Sequence, residues 1–149
     1  MMDRVRLLIL LSRPLFLLGG ALVYGLGVGI ARYLGAPIDW SLYIIGQAYV
    51  TTMQLSAQYL NEYFDAPADQ QNPNRTPFSG GSGAVGEGKL SQETVMWAAL
   101  TALTVLASLT VVLIRVVQLT PLLVTLVVLA FAGSFFYSTP PVRLSQTGY

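Results

Sequence analysis

Residues 40–69 read WSLYIIGQAYVTTMQLSAQYLNEYFDAPAD. The first part is an apolar run of the length a bilayer crossing needs, about 20 helical residues. It gives way after Leu60 to a short segment carrying Glu62, Asp65 and Asp69. These are three of the seven acidic residues in the chain, so the carboxylates gather at one end of one apolar helix instead of spreading over a surface. Two things need explaining: what the apolar run belongs to, and what the acids do at its end.

Composition answers the first. Of 149 residues, 54% are hydrophobic and 10% charged, with a mean hydropathy of +0.60. A soluble domain carries about 25% charged residues, so this chain cannot cover a globule with polar surface. The expected fold class is all-α, a polytopic bundle of transmembrane helices. Four spans are predicted at 14–34, 40–60, 95–119 and 121–137, with a loop at 61–91. Arg4, Arg6 and Arg13 precede the first span as they would in a signal peptide. The span is too long for that, lacks a small-x-small cleavage site and is followed by more spans. Arg4, Arg6, Arg13, Arg75, Lys89 and Arg143 fall on one side of this topology and Arg32 and Arg115 on the other. The imbalance predicts an inner (cytoplasmic) membrane protein whose N-terminus and acidic segment face the cytoplasm.

Cysteine and histidine are absent, which excludes disulfides, thiolate and imidazole chemistry and zinc sites of the usual ligand type. A net charge of +1 without a basic stripe gives no nucleic-acid partner. In the first span, Gly25 and Gly29 form a GxxxG pair suited to close helix packing. The second holds Gln47, Thr51, Thr52, Gln54, Ser56 and Gln58. Such polar groups face a bundle interior, either lining the approach to Asn61 or bonding between helices. Residues 83–89, GAVGEGK, fit the phosphate-loop pattern, but Leu90 stands where Ser or Thr must be, and no strand precedes them. That match is fortuitous.

Asn61, Asp65 and Asp69 recur at intervals of four, which on a helix puts all three on one face, with Glu62 about 100° away. Clustered carboxylates repel unless a cation lies between them, and oxygen ligands alone select a hard one, magnesium or calcium. Magnesium uses one or two carboxylates and completes its shell with water and substrate phosphate. Arg75 follows as a phosphate partner, then residues 78–83, FSGGSG, whose backbone amides can approach an anion. The pattern points to a magnesium–diphosphate site at the membrane surface. The alternative is a solvated polar cap on a transmembrane helix. Pro67 cannot donate to the Tyr63 carbonyl, which predicts a kink or helix end near Asp65.

Residues 61–69, NEYFDAPAD, resemble the first aspartate-rich motif of the UbiA superfamily of intramembrane prenyltransferases, where Asp is commoner at the position of Glu62. Residues 72–91, NPNRTPFSGGSGAVGEGKLS, resemble the following loop of its menaquinone-type members, and residues 137–149, YSTPPVRLSQTGY, are similar to their Y-S-x-P-P-x-(K/R)-L segment. The resemblance implies a nine-helix bundle and Mg2+-dependent transfer of a polyprenyl group from a polyprenyl diphosphate to an aromatic acceptor, 1,4-dihydroxy-2-naphthoate in the closest type. Other acceptors in the family are 4-hydroxybenzoate, chlorophyllide and glycerol-phosphate lipids. Carried over by position, Asn61, Asp65 and Asp69 bind the metal. Asn61, Arg75, Tyr137 and Arg143 contact the diphosphate, and Asp65, Asp69 and Arg75 serve catalysis. The family's second aspartate-rich motif has no counterpart, since no acid lies beyond Glu93. The chain is therefore expected to be the N-terminal part of one prenyltransferase domain and inactive by itself. A transporter subunit would need polar residues through several spans, and a scaffold would not need the motif.

Overall fold

Helix caps and prolines divide the chain. Asp3 accepts from the Val5 amide, Ser91 from Thr94 and Thr120 from Leu123, while Pro14 and Pro121 open the first turns of their helices. The computed structural model describes residues 3–71, 74, 76 and 80–146. It has five α-helices: α1 (Arg4–Leu11), α2 (Pro14–Tyr33), α3 (Trp40–Gln71), α4 (Gln92–Val116) and α5 (Pro121–Phe136). A 3-10 turn, Leu144–Gln146, follows. The described residues contain no strand, only an isolated bridge between Val85 and Leu90. The fold is all-α.

The apolar stretches 14–34, 40–60, 95–119 and 121–137 overlap α2, α3, α4 and α5, and α1 is an additional element that hydropathy did not suggest. Two of the four, α2 and α4, are long and apolar enough by themselves to cross a bilayer. At 16 residues α5 is shorter than the usual span, and the polar side chains of α3 dilute its hydropathy. Neither α2 nor α5 buries a residue, and Leu22, Val23 and Leu26 on α2 are all more than 60% exposed. Apolar surface of that extent belongs in lipid or against other protein, not in water, and the chain is membrane-associated.

At the centre stands α3, which touches α1, α2, α4 and α5, with its largest interface on α4. The α4 side of that seam is Val95, Ala99, Ala102 and Leu106, all buried and spaced by three or four. Small residues there let the two backbones approach. At the acidic end of α3, Leu7 and Leu11 from α1 meet Ala66, Ala84, Val85, Leu90 and Val95 in a buried cluster. This cluster seats the 84–90 loop on α3.

One expectation is corrected here. Pro67 does not end α3 near Asp65, and no loop opens at residue 61, because the helix continues through the proline to Gln71. The Tyr63 carbonyl, which Pro67 leaves without its helical donor, accepts instead from Gln92 Nε2 at 3.5 Å. Ala66, beside the proline, is 4% exposed, so packing against the cluster holds the turn as well.

A candidate diphosphate and metal cleft

With α3 unbroken, Asn61, Asp65 and Asp69 stay on one face. They line a cleft of about 390 Å³ together with Arg13, Phe16, Gln58, Gly80, Gly81, Tyr137 and Ser145. Four of the residues singled out from sequence, Asn61, Asp65, Asp69 and Tyr137, thus share one cavity. Asn61 Nδ2 donates both to Asp65 Oδ2 and to Ser138 Oγ, the latter at 2.8 Å. Ser138 is fully buried just past the end of α5, so one amide orients an acid of α3 and ties down the chain leaving α5. The Ser145 amide bonds the Tyr137 carbonyl at 2.7 Å and closes that turn beside the cleft.

Glycine is required at one point. Gly81 has φ +72°, and a Cβ there would overlap the Asp69 carboxylate. Only a backbone without a side chain can lie this close to Asp69.

Two cleft features escaped the sequence reading. Arg13 was counted only toward orientation. It adopts a left-handed conformation (φ 44°) at the α1–α2 junction, with its guanidinium 4.5 Å from the Phe16 ring centre, and lines the cleft. The residue before a proline is steered away from right-handed helix, and the Arg13-Pro14 pair was the available signal. Glu62, set aside because it points away from the other acids, is 3% exposed and accepts from both the amide and the hydroxyl of Ser82. Burial pushes its carboxyl above the ordinary range. The Ser82 hydrogen bonds and the charge of Arg13 act against that, and Asp69 adds to it. Its inward position follows from Ser82, 20 residues away, and no local pattern marks it.

Arg75 lies outside the described residues. Arg143 has φ 46° and sits over the Phe64 ring at 5.9 Å, and it does not line the cleft. The 83–89 turn is closed by its own groups: Lys89 Nζ donates to the Gly83 carbonyl at 2.7 Å and the Leu90 amide to the Ala84 carbonyl at 3.0 Å. This is not phosphate-loop geometry.

Among the described residues no three His, Cys, Asp or Glu side chains gather into a metal site. The cleft offers two carboxylates and two side-chain amides, Asn61 and Gln58. This donor set suits a magnesium ion that takes its remaining ligands from water and phosphate, with Arg13 as a cationic neighbour.

No known protein family's model matches the chain, and no solved structure does. Two curated relatives from Corynebacterium glutamicum, each named lycopene elongase/hydratase, are 31% and 30% identical to it over 147 residues. The alignment covers 98% of this chain and 47% of each relative, so the chain spans about half the length of the curated relatives it matches.

Proposed function

We propose that this chain carries the diphosphate-binding part of a membrane enzyme that transfers an isoprenyl group from a polyprenyl diphosphate, with Mg2+ held by Asp65 and Asp69. The observation that carries the reading is the cleft itself: two carboxylates on one helix face, an arginine beside them and a glycine backbone against the second acid, all at the end of an apolar helix. When bound, Mg2+ supplies positive charge that stabilises the departing diphosphate. The chain's own residues do the rest. Asn61 fixes the rotamer of Asp65, and its Oδ1 is the atom that would join the metal. Arg13 offsets phosphate charge that the metal leaves uncompensated, and the Gly80 and Gly81 amides give an anion neutral donors. Phe16 and Ala57 line the same cleft and exclude water from the allylic carbon, which would otherwise be quenched as a cation. Tyr137, which lines the cleft, and Arg75 are further diphosphate contacts that the UbiA resemblance assigns, and Arg143, which it assigns too, lies over Phe64 outside the cleft lining. On this reading the cleft opens to the cytoplasmic face of the inner membrane, where the prenyl tail enters the bundle from lipid.

For the acceptor, the relatives' name speaks for a polyene such as lycopene, extended by transfer of an isoprenyl unit. The motif similarity of residues 72–91 and 137–144 supports the second reading, 1,4-dihydroxy-2-naphthoate. Membranes from cells expressing the gene in its natural length, given labelled allylic diphosphates of several chain lengths, Mg2+ and either acceptor, decide between them. Label in the polyene is the expected result and label in the naphthoate supports the second reading. Transfer to neither contradicts both.

A further inference from the structure

Glu62 is the one cleft-side acid that the proposed chemistry leaves unused, yet it is 3% exposed. Burying a carboxylate is costly unless its oxygens are hydrogen-bonded, and here both are, Oε1 by the Ser82 amide and Oε2 by the Ser82 hydroxyl at 2.8 Å. Both donors belong to a single residue, the one directly after Gly81. The Ser82 hydroxyl in turn accepts from the Ala84 amide at 3.1 Å, which extends the grip to buried Ala84 and Val85. Gly80 and Gly81, with φ of 81° and 72°, line the cleft immediately before this anchor. A run of such glycines has many conformations open to it, and ordering them on binding would cost affinity.

We infer that Glu62 is a positioning residue: without touching substrate, it grips Ser82 and so fixes the Gly80–Gly81 backbone beside Asp69, where its amides meet a bound diphosphate. The role in binding rests on the diphosphate reading above, whereas the anchoring of the loop does not. Glu62→Leu removes the contact because it has no acceptor, whereas Glu62→Gln keeps it, with Oε1 accepting from the Ser82 amide and Nε2 donating to the Ser82 hydroxyl.

The test uses the full chain in lipid nanodiscs, with geranyl S-thiolodiphosphate as a non-reacting probe and Mn2+ paramagnetic resonance to follow metal binding alone. Glu62→Leu is expected to raise the probe's Kd in Mg2+ by about tenfold or more, Ser82→Ala, which keeps the amide bond, by less, and Glu62→Gln to stay close to the unsubstituted chain. In the Glu62→Leu background Ser82→Ala costs less than it does alone, because the bond between the Ser82 hydroxyl and Glu62 is already gone. In Glu62→Leu amide exchange at residues 80–84 accelerates, and Mn2+ binding persists because Asp65 and Asp69 are intact. Unchanged probe affinity with accelerated exchange in that variant overturns the positioning role, and unchanged exchange overturns the anchor itself. If the unsubstituted chain does not bind the probe, the diphosphate reading falls and the role in binding with it. Accelerated exchange in Glu62→Leu would then still identify the anchor.

Discussion

Asn61 shows how a short motif becomes a site. Its spacing from Asp65 was visible in the sequence, but the second use of its amide, on Ser138, comes from a residue 77 positions away. Gly81 tests the same locality from the opposite side of the cleft. Gly81→Ala forces a residue with a side chain into φ +72° and sets its Cβ against Asp69. Its binding of an allylic diphosphate analogue in Mg2+, measured by calorimetry, is expected to weaken by about tenfold or more. Gly88→Ala, at φ +68° with open space around it, carries only the backbone strain and should leave that affinity unchanged. Asn61, Asp65, Asp69 and Tyr137 were legible because a helical period and a motif mark them. Arg13 and Glu62 were not, since the position of Arg13 follows from the α1–α2 junction and that of Glu62 from a partner 20 residues away.

At the scale of elements, α3 decides the architecture. A local rule predicted that Pro67 would kink or end the helix, but it does not end there, and Gln92 from the first turn of α4 takes the carbonyl the proline frees. This compensation can be measured by a double-mutant cycle. Gln92→Leu is expected to destabilise the chain by about 1 kcal/mol, the net worth of one hydrogen bond. In a Pro67→Ala background, where the helix supplies its own donor, the same change should cost close to nothing. Equal costs in both backgrounds would show that Gln92 does not cap Tyr63. The polar residues of α3 were legible as inward-facing, and some are used between or within helices: Gln54 Nε2 bonds the Phe16 carbonyl at 3.2 Å and Gln47 Nε2 bonds Thr51 at 3.0 Å. Gln58, one turn from Asn61, lines the cleft.

For the whole molecule, the helical class followed from composition together with apolar runs of about 20 residues, since a run of that length satisfies its backbone in lipid as a helix. The length of each helix did not follow, since apolar runs do not show where a helix continues past them, as happens at residues 61–71 of α3. Helices α2 and α5 present apolar faces outward while the acids, Arg13 and the glycine backbone converge at one end. Such an arrangement suits a ligand with a charged head and a greasy tail. The most direct measurement is calorimetric titration of geranyl S-thiolodiphosphate into the chain in nanodiscs, with Mg2+ or with chelator, for the unsubstituted protein and Asp65→Ala. The account predicts binding that requires Mg2+ and a loss in Asp65→Ala exceeding the about ten- to hundredfold typical of an outer-shell partner. Equal affinity in chelator, or in the variant, would contradict it.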